Sequence, residues 1–238
     1  LHSNGFVKEW HKISDLEGNF GGRLRKGDQF GRAAACLGDL DGDGVLDLAV
    51  SSNYDDDGGT NKGAIYVLFL NIDGTVKSSQ KISSTEGGFP ATLKLHDEFG
   101  RSITALGDMD GDGTTDIVVG TPEDDDGGTN TGALHVLFLN RTGTVKSYKR
   151  ISRSTDGLHL KPGDWFGHCS ANLGDFDHDG VTDLVVGSVL DDDGGFNQGS
   201  VWLLFLNANG SVKASHEINE LVGGFTAVLD DVDQFGTS

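Results

Sequence analysis

The 238-residue sequence predicts an all-β fold of repeating four-stranded units, and three recurrences carry that prediction. Phe-Gly pairs stand at 30–31, 99–100, 166–167 and 235–236. Asp-rich loops open at Asp39, Asp108 and Asp175. The apolar runs "GAIYVLFLN" (63–71), "GALHVLFLN" (132–140) and "GSVWLLFLN" (199–207) keep the same step of 67 to 69 residues. Self-similarity at a fixed period marks a tandem repeat in which each unit is one supersecondary structure.

The elements of a unit follow in order. The first strand runs from the Phe-Gly pair to the Asp loop (30–37 in the first unit), and the second follows that loop as "DLAVSS", "DIVVGT" or "DLVVGS". The third is the apolar run; it does not alternate apolar with polar, so both of its faces should be covered. The fourth, "TVKSSQKIS" in the first unit, is reached through "NIDGT", whose Asp-Gly pair is a hairpin signal. No segment shows a capped helical period. A four-stranded unit covered on both faces and repeated at this spacing describes a β-propeller blade packed between neighbours. A β-sandwich would leave the periodicity without a cause. The expected organisation is the C-terminal part of a preceding blade over 1–29, opening on a fourth strand "FVKEWHKIS". Repeats over 30–98, 99–165 and 166–234 follow, and a further one begins at 235–238, about three and a half blades in all.

Charge narrows the function. The chain has 37 acidic residues against 18 Lys plus Arg, a net charge of −19, which excludes nucleic acid and anionic membrane surfaces as partners because both need a basic footprint. The longest apolar run, residues 64–70, is too short to insert across a bilayer. The acid comprises 30 Asp but only 7 Glu, which points to short carboxylates placed in loops. Cys36 and Cys169 occupy non-equivalent positions in different repeats and read as buried free thiols.

The loops "GDLDGDGVLD", "GDMDGDGTTD" and "GDFDHDGVTD" set Asp at positions 1, 3, 5 and 9: Asp39, Asp41, Asp43 and Asp47; Asp108, Asp110, Asp112 and Asp116; Asp175, Asp177, Asp179 and Asp183. Alternate carboxylates in a tight loop converge hard oxygens on one centre, which suits Ca²⁺, three sites in all. Gly44, Gly113 and Gly180 stand where the backbone must turn with positive φ, and position 7 (Val45, Thr114, Val181) offers its carbonyl. The spacer at position 4 is Gly42, Gly111 or His178, a variability that reads as an outward-facing residue without chemistry. An EF-hand is ruled out: position 12 is Val50, Val119 or Val186 inside a strand, where that loop needs a bidentate Glu and flanking helices. A second cluster, "DDDGGTN" (55–61 and 124–130) and "DDDGGFN" (191–197), offers a second metal site or a ligand-binding rim on one reading, and on the favoured one a charged turn with left-handed glycines and one Asp capping an amide. Three consecutive carboxylates cannot all face one ion. The eight histidines are scattered; His135 stands where Tyr66 and Trp202 stand and reads as a packing variant, and no catalytic grouping emerges, so an enzyme is not expected. In the divergent stretch 153–167, Trp165 reads as a core residue, with an exposed stacking residue as the alternative.

Phe-Gly, then the Asp loop, then Gly-Ala opening the third strand resembles the FG-GAP repeat of the integrin α-chain propeller, above all the tandem arrays of large extracellular proteins. The resemblance covers essentially the whole chain, although its proline is absent from the third strands, which open Gly-Ala or Gly-Ser. It implies a seven-bladed propeller with Ca²⁺ held between the first and second strands of a blade. Propellers need at least four blades to close. The expected function is therefore a calcium-binding extracellular structural module that completes a ring or filament with other copies of itself or with neighbouring repeats. The competing reading is an adhesive module that binds an extracellular protein or glycan through its loop faces. Weak extracellular-type calcium sites favour an extracellular or cell-surface location, and Asn140 and Asn209 head N-glycosylation triplets.

Overall fold

A computed structural model describes residues 2–238 and is all-β apart from one helical turn. Its twelve strands form three antiparallel four-stranded sheets, each a meander in sequence order. The first holds β1 (Phe30–Gly38), β2 (Asp47–Ser52), β3 (Ala64–Leu70) and β4 (Val76–Ile82). The second holds β5 (Ile103–Gly107), β6 (Asp116–Thr121), β7 (Ala133–Leu139) and β8 (Val145–Ser152). The third holds β9 (Phe166–Gly174), β10 (Asp183–Ser188), β11 (Ser200–Leu206) and β12 (Val212–Ile218). These are propeller-type blades, as the repeat period predicts.

Alternation across the pleat lets the middle blade build two cores. Ile117, Val119, Leu137 and Leu139 face the first blade and pack with Leu37, Ile65 and Val67. Val118, Leu134, Val136 and Phe138 face the third blade and pack with Leu184, Trp202 and Leu204. Each side chain so enclosed contributes on the order of 1.5–3 kcal/mol. The continuous apolar third strand is thereby explained for β7, and for β3 by a further core in which Tyr66 and Leu68 pack with Phe20, Val50 and Leu24; both strands are buried almost throughout. In β11 the expectation fails in part: burial alternates along "SVWLLFL", because no sheet among the described residues covers its second face.

Blades are joined through the Phe-Gly pairs. Phe99 forms a parallel bridge to Gly63 of the blade before it, and Phe166 one to Gly132. A Cβ on Gly63 or Gly132 would lie 2.2 Å from the Phe carbonyl oxygen, and both glycines have positive φ, so no other residue fits. Behind this bridge an aromatic cluster closes each joint. Phe89 stacks on Phe99 at 4.8 Å, and both rings meet His135 edge-on. In the first blade the corresponding set is Phe20, Phe30 and Tyr66. His135 is thus the packing variant expected; burial first, then Arg150, pushes its pKa down to about 3, so it stays neutral.

Four expectations are corrected. Residues 6–14 form no strand, for a strand needs a ladder partner and none lies beside them among the described residues. Cys36 is exposed rather than buried, because one face of β1 is open, and Cys169 is half-buried with its thiol on the Gly236 carbonyl. Residues 153–156 form a helical turn, α1 (Arg153–Asp156), ended by Gly157 in the left-handed region. Trp165 is half-buried with φ +57° and stacks on His168, so it is not a core residue.

Candidate metal centre

In a four-stranded meander the first and third connections lie at one end of the sheet and the second at the other. The Asp loop between strands one and two therefore sits beside the turn leading into strand four. The "DDDGG" turn sits at the far end, beside the close of strand four.

At the first end each loop is organised by its own carboxylates. The position-1 residue accepts amides across the turn: Asp39 Oδ1 from Asp43 (2.8 Å) and Oδ2 from Gly44 (2.9 Å). Asp108 and Asp175 do the same in their loops. Position 5 fixes position 7: Asp43, Asp112 and Asp179 each accept, through Oδ1, the amide of Val45, Thr114 or Val181 at 2.9 Å. Gly44, Gly113 and Gly180 have φ of +89°, +81° and +90°, as the turn requires. Position 4 is also left-handed, Gly42 and Gly111 by nature and His178 at φ +63°, so this spacer carries a backbone demand rather than none.

Position 9 differs from the rest because it is buried. Asp47 is fully enclosed and spans the loop and the end of β3, its Oδ2 accepting the Leu40 amide (2.9 Å) and its Oδ1 that of Leu70 (3.1 Å). Asp116 repeats this with Met109 and Leu139, and Asp183 with Phe176 and Leu206. Burial pushes the Asp116 carboxyl up to about 6, against the pull of those two amides, and Asp47 moves in the same direction.

Carboxylate oxygens of positions 1, 3 and either 5 or 9 gather in every loop. Asp39, Asp41 and Asp43 each offer an oxygen within 4.8 Å of the others, as do Asp108, Asp110 and Asp116, and Asp175, Asp177 and Asp183. The donors are all hard oxygens, a set that fits a divalent cation of the Ca²⁺ kind. The carboxylates of positions 1, 5 and 9 are aligned by backbone amides in all three loops.

A basic partner that sequence reasoning missed completes each loop. Lys77 on β4 bridges Asp41 (2.6 Å) and Asp43. Lys146 on β8 bridges Asp110 (2.5 Å) and Asp112, and Lys213 on β12 bridges Asp177 (2.6 Å) and Asp179. Hydrogen bonding to this lysine holds Asp43, Asp112 and Asp179 below the usual carboxylate range. The signal was present in the sequence: "TVKS", "TVKS" and "SVKA" recur at the repeat spacing.

At the far end the "DDDGG" turns use their three carboxylates separately. Asp55 accepts the Asp57 amide (2.8 Å), and Asp56 accepts the Asn61 amide (2.9 Å). Asp57 takes the Thr85 hydroxyl at 2.6 Å and is also bonded by Ser83. Lys81 then neutralises Asp55 (3.0 Å) and Asp57 (3.4 Å), and Arg150 does so for Asp124 and Asp126 (3.3 Å). The expected capping is seen, though in the third turn Gly194 and Gly195 are not left-handed. That turn also reverses the charge: Glu217 stands where Lys81 and Arg150 stand, giving a third carboxylate beside Asp191 and Asp193. Burial, then Asp191, pushes Glu217 up to about 7.

This is the architecture of repeat proteins with acidic loops between paired strands, and the family comparison gives the class. The FG-GAP repeat family matches residues 31–68 and 99–137. The chain is 30% identical to integrin alpha-4 of Xenopus laevis over 172 residues, which is 72% of this chain and 15% of that protein. It is 28% identical to integrin alpha-2 of Mus musculus over 170 residues, 69% of this chain and 14% of the relative. With integrin alpha-PS5 of Drosophila melanogaster it shares 41% over 96 residues, 40% of this chain and 9% of the relative. The protein carries integrin-like FG-GAP repeats and is related to integrin α chains. It spans about 15% of the length of the first of these relatives.

Proposed function

We propose that this chain is a calcium-binding, non-enzymatic extracellular module whose three Asp loops each hold one Ca²⁺. The observation that carries the reading is the threefold gathering of loop carboxylate oxygens within 4.8 Å. Positions 1, 3, 5 and 9 supply side-chain oxygens: Asp39, Asp41, Asp43 and Asp47, with their equivalents in the second and third loops. The position-7 carbonyls of Val45, Thr114 and Val181 complete the set. The repeats follow the parsing 30–98, 99–165 and 166–234, and the ion ties the start of each second strand to the first.

Sites of the extracellular type bind Ca²⁺ with Kd on the order of 10⁻⁴ to 10⁻³ M. At tenfold excess over Kd each site adds about 1.4 kcal/mol, and three together about 4 kcal/mol. Isothermal titration at millimolar Ca²⁺ is expected to give three sites, with a melting temperature that falls on adding EGTA. No binding heat and an EGTA-insensitive melt would overturn the reading.

The module serves structure and assembly with neighbouring repeats or other copies, a use supported by the open face of β1 and the half-covered β11. An adhesive role, in which the loop ends meet an extracellular protein or glycan, is the second reading. The relation to integrin α chains favours it.

A further inference from the structure

The lysine that opens strand four holds particular oxygens. In each loop Oδ1 of position 5 is occupied by the position-7 amide, which leaves Oδ2 as the free oxygen. It is Oδ2 that the lysine takes: Asp43 from Lys77, Asp112 from Lys146, Asp179 from Lys213. At position 3 the same ammonium bonds Oδ2 of Asp41, Asp110 and Asp177 at 2.5–2.6 Å. These are the oxygens an incoming ion would need. A single positive charge on a flexible stem thus stands between the position-3 and position-5 carboxylates, at a position that a divalent cation would claim.

We propose that Lys77, Lys146 and Lys213 are tethered counter-cations that occupy the ion position of the metal-free loop and set its calcium affinity by competing for it. This rests on the calcium reading above. The ammonium limits carboxylate repulsion while the loop is empty of metal, so the blade end stays folded. It must swing aside when the ion enters, since two cations sharing the same oxygens repel. The stem suits that movement, because lysine reaches its partners through four rotatable carbons and keeps a hydrated head at the surface. The device is repeated with a fixed separation of 34 residues between the position-5 Asp and its lysine.

The test is calcium titration calorimetry on the wild-type chain, on the single variant Lys77→Met and on the triple variant Lys77→Met/Lys146→Met/Lys213→Met, with melts of each in EGTA. Removing the exposed pairs is expected to tighten Ca²⁺ binding roughly threefold to tenfold in each altered loop. The melting temperature in EGTA should fall while that in calcium holds. An unchanged or weaker affinity in the triple variant, with the wild type binding normally, overturns the competition and leaves the calcium reading standing. Absence of binding in both proteins overturns the calcium reading and this inference together. Binding by the triple variant alone supports the competition in its strongest form. Lys77→Met on its own leaves two loops as internal controls, so a folding defect would show as loss of all three sites rather than a change in one.

Discussion

Single residues in this chain are placed by backbone demands as much as by chemistry. His178 holds a left-handed spacer that the other two loops give to glycine. Replacing it with glycine should relieve about 0.5–1 kcal/mol of steric cost and raise the apparent melting temperature by about 2 °C, read by scanning calorimetry in EGTA. Gly132 is the opposite case. A methyl group there would lie 2.2 Å from the Phe166 carbonyl oxygen, and Gly132→Ala should cost about 2–4 kcal/mol, measured by urea unfolding. Buried carboxyls add a pH dependence with a definite sign. Burial pushes Asp97 and Asp164 up to about 7, although each accepts a backbone amide. A raised carboxyl pKa means that the folded state holds its proton more tightly than the unfolded one. The stability so gained is complete below the ordinary carboxylate range and is lost as pH rises through 7. Metal-free protein should therefore melt lower at pH 8 than at pH 5.5, and Asp164→Asn should flatten that slope.

At the scale of the element, strand four is the member with two tasks. Lys77 faces the Asp loop and Lys81 the "DDDGG" turn; Lys146 and Arg150 repeat the arrangement. β12 keeps Lys213 but sets Glu217 against Asp191 and Asp193. Lys161 already bonds Asp193, so Glu217→Lys should remove the remaining repulsion with Asp191 and raise the melting temperature at pH 8, by about 2–4 °C for each kcal/mol regained in a chain of this size. An unmoved melt would show that Glu217 does not destabilise this turn. The Glu217 position was legible as a motif variant, "HEIN" against "QKIS" and "KRIS". Its consequence was not, because it depends on which end of the strand meets which loop.

For the whole molecule the decisive feature is that blades are stacked by their faces: the middle blade lies between two others, the first is covered on its outer face by the segment around Phe20, and the third is half-covered. The proposed assembly rests on the faces left open on β1 and β11, since apolar area there leaves water only when another sheet covers it. Sedimentation in millimolar Ca²⁺ and again in EGTA is expected to show a dimer or larger species that dissociates on chelation. A monomer in both conditions would shift attention to the loop ends as a binding surface.

What the sequence determined by itself was the local repeat: the period, the four strands of a unit and the alternating carboxylates of each loop. These follow from short-range sterics and hydrogen bonding within a few residues. Tertiary structure decided what lies further apart along the chain. Asp47 reaches the Leu70 amide across 23 residues, and Lys77 reaches Asp43 across 34. Cys36 is exposed and β11 half-covered because burial depends on which sheet lies against which. Periodicity states that a face is apolar, but only the packed neighbours settle whether it is covered, for the hydrophobic effect has no direction of its own.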